Sequence, residues 1–182
     1  MNTTQANIIA NETIDETKVA QARKIILELQ NNMPEYINNG FGPFIAAIYD
    51  KSGKLIAKSS NTVLKDNCSS CHAEVNTIRL AEQNLGTYDL SKFDLSLYVT
   101  AEPCIMCLGA IMWSGIKSVY YGVPSKDVER ITGFDEGFKP HWFEEFKARG
   151  ITVYGNIEVE KGEEVLQNYV LQGCTVYKPE RS

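Results

Sequence analysis

Two short stretches of sequence, His72-Ala73-Glu74 and Pro103-Cys104-Ile105-Met106-Cys107, decide how this chain is interpreted. The two cysteines of the second stretch are three residues apart at the start of a predicted helix, so both side chains lie on one helix face and can bind the same ion. His72 provides a third ligand. A catalytic zinc ion usually has three protein ligands and a water molecule, whereas four protein ligands close a structural zinc site. The pattern therefore predicts an open zinc site, with Glu74 as the base for the water molecule.

The combination of H-x-E with a later P-C-x-x-C is typical of zinc-dependent nucleobase deaminases. With it, the chain resembles the cytidine deaminase-like superfamily, and from about Gly42 to Gly150 it is similar to the guanine deaminase branch of small bacterial base deaminases. The stretches that carry the resemblance are Gly42-Pro43-Phe44, Asn61, His72-Ala73-Glu74-Val75, Glu102-Pro103-Cys104-Ile105-Met106-Cys107-Leu108-Gly109-Ala110-Ile111 and Gly133-Phe134-Asp135-Glu136. The resemblance implies a three-layer α/β/α fold and hydrolytic deamination, with Zn²⁺ held by His72, Cys104 and Cys107.

Four residues are candidates for catalysis and substrate binding. We expect Glu74 to take a proton from the water, pass it to a ring nitrogen of the base and help to protonate the departing ammonia. The resemblance implies that Asn61 binds the base through its amide, which can both donate and accept hydrogen bonds. It also implies that Glu136 is a second proton carrier. Ala73, between the histidine and the glutamate, is a further candidate for substrate binding.

Asn61 and Glu136 also have simpler interpretations. Asn61 lies in Ser59-Ser60-Asn61-Thr62, a composition that is typical of turns. Glu136 could be a solvated loop acid, with Asp135 as the side chain that points inward. Each functional role therefore depends on whether the side chain faces the metal ligands.

The hydrophobic pattern predicts alternating helices and strands, without internal repeats or a domain linker. We expect strands at residues 44–49, 54–57, 95–100, 117–121 and 151–154, and helices from the capping box at 13–16 to about residue 31, at 72–84, 104–114, 142–148 and 161–171. The first two strands form a hairpin around Asp50-Lys51-Ser52-Gly53, and the helices between the later strands imply parallel crossovers. The prediction is an α/β protein, a three-layer α/β/α fold with a central mixed five-stranded sheet. We expect one domain over residues 1–182, with residues 1–12 as a loose N-terminal extension.

Composition and charge narrow the class of protein. The chain has 182 residues, 43% of them hydrophobic, which suits one globular domain. Its net charge of -5 disfavours, without excluding, a nucleic-acid partner, because binding to phosphates normally requires a basic face. The chain begins without a basic and apolar leader pattern, and no apolar run approaches the ~20 residues of a membrane span. We therefore expect a cytoplasmic protein, without a membrane partner, that acts on a small uncharged substrate, which the resemblance implies is a small-molecule nucleobase.

The cysteines outside the second motif allow other interpretations. Cys68-Ser69-Ser70-Cys71-His72 has the C-x-x-C-H form of a c-type haem attachment, which requires export. The same two cysteines could join those of the second motif in a four-cysteine structural zinc site. That interpretation leaves the histidine, the glutamate and the proline of the two motifs unexplained. Because five cysteines in a reducing compartment more often indicate metal ligands or free thiols than disulfides, we interpret Cys68 and Cys71 as pocket-wall or buried thiols.

The motifs identify the reaction better than the substrate. We expect the substrate to be guanine or a related aminopurine or aminotriazine. The alternatives are a tRNA adenosine deaminase and a cytosine-type pyrimidine deaminase within the enzyme class, and a non-catalytic zinc-binding module outside it. Two features depart from the guanine deaminase pattern. The residues 68–71 replace an Asp-Pro-Thr-Ala type of approach to the histidine, and Tyr177 is not clearly equivalent to a tail tyrosine that reaches the neighbouring subunit's site in that branch.

The resemblance also implies a homodimer, formed by helices that pack near the site. The apolar stretch Ile111-Met112-Trp113 could contribute to such an interface, or it could belong to the core. The sequence pattern leaves both possibilities open.

Overall fold

The computed structural model describes residues 8–179, and within that range it contains one mixed sheet of six strands flanked by helices. The strands are β1 (Ile9–Ala10), β2 (Ile45–Asp50), β3 (Leu55–Ser60), β4 (Leu95–Ala101), β5 (Ser118–Val123) and β6 (Thr152–Gly155). The helices are α1 (Glu16–Asn38), α2 (Val63–Asp66), α3 (Ala73–Leu85), α4 (Ile105–Ser114), α5 (Ser125–Thr132), α6 (Trp142–Ala148) and α7 (Val159–Leu171), with a 3-10 turn at Leu90–Phe93.

The strand order across the sheet is β1-β6-β5-β4-β2-β3. The hairpin of β2 and β3 is antiparallel, and β2 also pairs antiparallel with β4. The pairs β4–β5 and β5–β6 are parallel, because a helical crossover returns the chain to the same end of the sheet before each new strand. These pairings confirm the predicted mixed α/β architecture.

Two apolar cores lie on opposite faces of the sheet. Alternate residues along β2 belong to different cores, with Ile45 and Ala47 on one face and Ala46 and Ile48 on the other. The first core contains buried side chains of α1, α5 and α7, and the second contains those of α3, α4 and α6. Alternation along strands between two helical layers is the pattern of a sheet buried on both sides, so the three-layer prediction is confirmed.

The sheet has six strands where five were expected, because the short strand β1 pairs antiparallel with β6. This strand lies inside the segment 1–12 that we expected to be loose. The side chain of Asn11 fixes it further, since it donates to the carbonyl of Ile151 and accepts from the N–H of Val153. The strand Ile9–Ala10 therefore forms the sheet edge, whereas residues 1–7 lie outside the described part of the chain.

Helix α1 differs from its prediction at both ends. Its N-cap is Asp15, whose carboxylate accepts from the N–H groups of Thr17 and Lys18, in place of the expected capping box that begins at Thr13. The helix also continues through Pro34 to Asn38, although proline usually ends or kinks a helix. Met33 and Ile37 are buried in the first core on either side of that proline, so packing maintains the last turn.

The other predicted elements agree with the structure to within a few residues, but α2 and α5 were not predicted. Both are short and lie in segments without a predicted helix or strand. Helix α5 ends at Gly133, which has a φ of +78°, and the chain then enters the segment that carries Glu136. The amino ends of α3 and α4 and the carboxyl end of β4 border one cavity together with that segment.

Within residues 8–179, no helix has both the length and the apolar character that crossing a membrane requires.

Candidate active site

The three predicted metal ligands meet at one point. The Nδ1 atom of His72 lies 3.4 Å from the Sγ of Cys104 and 3.6 Å from the Sγ of Cys107, and the two sulfur atoms are 3.6 Å apart. A tetrahedral zinc ion with bonds of about 2.1 Å to nitrogen and about 2.3 Å to sulfur would separate its ligand atoms by similar distances. The donor set and its spacing therefore fit Zn²⁺ with one coordination position left for another group.

The ligands are brought together by two helix N-termini. His72 is the N-cap residue of α3, and Cys104 is the N-cap residue of α4. Cys107 follows on the first turn of α4 and is fully buried. Because the N-terminus of a helix carries a partial positive charge, this arrangement favours thiolates over thiols.

The two ligand thiols share a proton in the metal-free protein. Hydrogen bonds from the Cys107 thiol and from His72 lower the pKa of the Cys104 thiol to about 4, against the effect of its burial. The pKa of Cys107 lies well above its ordinary range, because its thiol shares a hydrogen bond with that of Cys104 and is buried. A divalent cation would replace the shared proton, so the pair is suited to metal binding.

Two carboxyl groups face the same cavity. Glu74 is the second residue of α3, and burial, followed by the charge of Cys104, raises its pKa to about 7. Glu136 lies in the segment after α5, and the same two causes raise its pKa to about 8. Both side chains belong to residues that are less than a tenth exposed. Carboxyl groups with pKa values near neutrality are suited to proton transfer.

Asn61 is completely buried at the end of β3. Its Oδ1 accepts from the N–H of Val63 at 3.2 Å, and its Nδ2 donates to the hydroxyl of Tyr177 at 2.6 Å. The close approach of Gly42 supports this position, since a Cβ there would lie 2.7 Å from Asn61 Oδ1. The side chain thus stabilises the turn and still lines the cavity, which combines the two interpretations of Asn61.

Ala73 begins α3 between His72 and Glu74, and its side chain is fully buried. The first N–H groups of a helix have no acceptor within the helix. The backbone amide of Ala73 is therefore positioned as a hydrogen-bond donor near the ligands.

The cavity has a volume of about 910 Å³ and an aromatic wall. The ring centroids of Phe134 and Tyr177 are 4.7 Å apart, and those of Phe44 and Phe134 are 5.5 Å apart in an edge-to-face arrangement. Tyr177 comes from the tail of the same chain, so the tail closes one side of the cavity without a neighbouring subunit. Lys178 and Pro179 extend this wall.

Among the residues that the structure describes, the group of ligand-type side chains close enough to share an ion consists of His72, Cys104 and Cys107. Cys68 and Cys71 do not join it, which removes the basis for a four-cysteine zinc site. Cys68 lines the cavity instead.

Lys139 was not anticipated from the sequence. Its Nζ donates to Glu102 Oε1 at 2.7 Å, to the carbonyl of Pro103 at 3.0 Å and to the hydroxyl of Ser125. The side chains of Lys139 and Glu102 are only 8% and 12% exposed. This buried bridge ties the segment that carries Glu136 to the residues that precede Cys104. A lysine without a motif around it gives no sequence signal of such a role.

The backbone adds further ties between the same two segments. The N–H of Ile105 donates to the carbonyl of Glu136 at 3.1 Å, and the N–H of Glu136 donates to the carboxylate of Glu129 at 3.2 Å. Gly137 packs so closely on Ile105 that a Cβ would lie 2.5 Å from its side chain. Glu136 is therefore held in place from both sides.

Comparison with known proteins agrees with this geometry. Residues 20–123 match the family model described as the cytidine and deoxycytidylate deaminase zinc-binding region. The chain belongs to this family of zinc-dependent deaminases. The match confirms the predicted superfamily, the zinc-dependent chemistry of the family and its fold.

Individual relatives point to the guanine deaminase branch. Over 104 residues the chain is 42% identical to the guanine deaminase of Bacillus subtilis (strain 168), which covers 57% of this chain and 65% of the relative. A solved guanine deaminase from Nitrosomonas europaea superposes with a TM-score of 0.78 at 33% identity, covering 93% of this chain and 98% of that one. A tRNA-specific adenosine deaminase of Buchnera aphidicola is 40% identical over 92 residues, which are 50% of this chain and 59% of the relative. The matched segments thus span about two thirds or less of these two curated relatives.

Replacing Lys139 by methionine leaves Glu102 buried without its partner. We expect the free energy of unfolding to fall by about 3–5 kcal/mol, because an uncompensated buried charge is costly. Urea-induced unfolding of the zinc-loaded protein, followed by circular dichroism, measures this change. Lys161→Met is the matched control, since its ion pair with Glu164 is exposed and should contribute less than about 1 kcal/mol. Equal losses of unfolding free energy in the two variants would contradict a stabilising role for the buried ion pair of Lys139 and Glu102.

Glu136 should make the stability of the metal-free protein depend on pH. Its pKa is raised from 4.5 to about 8 by burial, so the folded state keeps a proton that the unfolded state releases. The resulting stabilisation is complete below the unfolded pKa and is lost as the pH rises through the folded pKa. Glu136→Gln cannot ionise, so its free energy of unfolding should decline less than that of the wild type over this range.

Urea unfolding at a series of pH values, after removal of zinc with a chelator, tests this expectation. Glu160→Gln, on the exposed side of α7, is the control and should follow the wild-type curve. If Glu136→Gln also follows that curve, the ionisation of Glu136 is not linked to folding.

Proposed function

We propose that this protein hydrolytically deaminates a purine base, with guanine or a related aminopurine or aminotriazine as substrate and ammonia as a product. The observation that carries the proposal is the presence of two buried carboxyl groups, Glu74 and Glu136, in one cavity beside three zinc ligands. The names of the relatives from Bacillus subtilis and Nitrosomonas europaea support guanine over other bases.

His72, Cys104 and Cys107 would hold Zn²⁺, which when bound acts as a Lewis acid and lowers the pKa of water. Glu74 takes a proton from the attacking water and delivers it to the ring nitrogen next to the amino-bearing carbon. Glu136, whose pKa of about 8 keeps it protonated at neutral pH, supplies a proton to the departing amino group. The two carboxyl groups thus divide the roles of base and acid.

Recognition of the base involves Asn61, Ala73 and the aromatic wall. The amide of Asn61 and the backbone N–H of Ala73 supply hydrogen bonds to the edge of the base. Phe134 and Tyr177 provide the apolar surface against which a planar ring packs. The hydroxyl of Tyr177 already bonds to Asn61, so it holds the amide in one orientation before a base binds.

A tRNA adenosine deaminase is the second candidate, favoured by the relative from Buchnera aphidicola. Two observations support a free base instead. The net charge of -5 offers little attraction for phosphates, and Tyr177, Lys178 and Pro179 of the tail form part of the cavity wall. The cysteine pair of the second motif serves as metal ligands in this proposal, which suits a reducing compartment, and we propose that the protein is cytoplasmic.

Ammonia release across a panel of substrates tests the proposed function. The panel contains guanine, adenine, cytosine, their nucleosides and an anticodon stem-loop, each supplied to zinc-loaded protein. We expect the highest kcat/KM with guanine. Glu74→Gln should lose at least ~100-fold in kcat because general acid–base catalysis is removed, while zinc content is retained.

Glu82→Gln is the matched control on the same helix, away from the ligands, and should keep wild-type turnover. Preference for the stem-loop would replace the proposed substrate with tRNA. A lack of ammonia release from every substrate would reject the enzyme and leave a zinc-binding module.

We also propose that the protein is a homodimer that pairs through α4. Ile111 is fully buried in the core, but Met112 and Trp113 are 37% and 82% exposed, so only part of the predicted stretch is available. Ile105 and Met106 are exposed on the same helix. An apolar helix surface next to the metal ligands is suited to a self-complementary contact.

Trp113→Glu should shift the protein from dimer to monomer, because a charge at the centre of an apolar contact is left without a partner. Sedimentation velocity at several concentrations measures the change. Tyr88→Glu is the control, since Tyr88 is 84% exposed and lies outside α4. A wild-type protein that sediments as a monomer at all concentrations would contradict the dimer.

A further inference from the structure

The loop between α2 and α3 carries Cys68-Ser69-Ser70-Cys71, which the proposed reaction does not use. The N–H of Cys71 donates to the carbonyl of Cys68 at 3.1 Å, which closes a four-residue turn. Such a turn keeps its first and last Cα atoms within ~7 Å, and disulfides span Cα separations of about 4.4–6.8 Å. The backbone is therefore already close to the geometry that a disulfide between these cysteines requires.

The side chains of the turn also interact. The Cys68 Sγ lies 3.3 Å from the Ser70 hydroxyl, and the Cys71 thiol is close enough to affect the pKa of Cys68. The Ser70 hydroxyl, followed by the Cys71 thiol, lowers the pKa of Cys68. Both cysteines are only half-buried, so small reagents can reach them. An accessible thiol with a lowered pKa beside a second thiol is the arrangement found in reactive cysteine pairs.

The turn also forms part of the cavity wall. Cys68 and Ser69 line the cavity. The carbonyl of Cys71 accepts from the N–H of Thr62 at 2.9 Å and from the side chain of Asn76 at 3.2 Å, which ties the turn to the end of β3. A change in this turn would therefore move the wall between Asn61 and the zinc ligands.

We propose that Cys68 and Cys71 are a redox-active dithiol, converted to an intramolecular disulfide by low-molecular-weight disulfides such as oxidised glutathione, and that this conversion alters the entry of the base. The Cys68 thiolate attacks one sulfur of the oxidant and releases the first glutathione. The Cys71 sulfur then attacks Cys68, loses its proton and releases the second glutathione. The two protein thiols together lose two electrons and two protons. One glutathione disulfide gains them and becomes two glutathione thiols.

Formation of the disulfide and its effect on the entry of the base are separate parts of the proposal. Formation of the disulfide does not depend on the deaminase reaction, whereas its effect on substrate entry rests on the proposed function. The experiment therefore needs one measurement of the bond and another of the kinetics.

Peptide mapping detects the bond. Zinc-loaded protein is equilibrated in glutathione redox buffers, quenched with acid, alkylated and digested with trypsin. Cys68 and Cys71 fall in the tryptic peptide 66–79, the two zinc-binding cysteines fall in 93–117, and Cys174 lies in the peptide that begins at residue 162. We expect the peptide 66–79 to escape alkylation and to lose two hydrogen atoms, with zinc content unchanged.

Steady-state kinetics on guanine measure the effect. The KM of the oxidised protein should differ from that of the reduced protein by about fivefold or more, a typical size for coupling between two sites, and kcat should be retained. In the double variant Cys68→Ser, Cys71→Ser, KM should be the same in oxidising and reducing buffers. Cys174→Ser is the matched control and should respond as the wild type does.

Three results would overturn the inference. The peptide 66–79 could stay reduced in every buffer, the disulfide could form without a change in KM, or the peptide 93–117 could be oxidised first with loss of zinc. If the reduced wild type deaminates no base, the proposed function fails and the kinetic effect fails with it, but the peptide map still decides whether the dithiol forms a disulfide.

Discussion

The structure depends on the meeting of two helix N-termini at three ligand atoms. His72 and Cys104 occupy the N-cap positions of α3 and α4, where other helices place side chains that bond to the first N–H groups. Here the two cap side chains face each other at 3.4 Å instead. Each helix forgoes a stabilising cap of about 1 kcal/mol, and the positive end of each is offset by the charge of the thiolates. The surrounding sheet fixes this approach, because β4 leads directly into α4 and β2 and β3 carry α3 on their second face.

A second constraint acts across the cavity. The segment after α5 would be an ordinary surface loop without the bridge from Lys139 to Glu102 and the bond from Ile105 to the carbonyl of Glu136. These ties use residues next to the ligand cysteines, so Glu136 and the metal ligands share one support. Rigid placement is what proton transfer requires, since a carboxyl group works only within hydrogen-bond reach of the atom it serves.

The parts of the site that could be predicted from sequence are those that lie close together along the chain. His72 with Glu74, and Cys104 with Cys107, are related by the geometry of a single helix turn, and the hairpin is encoded by a local turn. The bond from Asn61 to Tyr177 joins residues 116 apart, and the bridge from Lys139 to Glu102 joins residues 37 apart. The hydrophobic periodicity of the sequence does not indicate such long-range contacts. Helix α1 continues past Pro34 for the same kind of reason, because tertiary packing outweighs local preference.

The position of the tail along the chain has a consequence for how the cavity is encoded. The family match ends at residue 123, so it includes Asn61, Glu74 and the metal ligands but excludes Phe134, Glu136 and Tyr177. The metal ligands and Glu74 are therefore carried by one contiguous segment, whereas Glu136 and the aromatic part of the cavity wall formed by Phe134 and Tyr177 are carried by the segment that follows it. Exchanging the portion after residue 123 between family members would thus replace Glu136 and the aromatic wall together, while the metal ligands, Glu74 and Asn61 are kept.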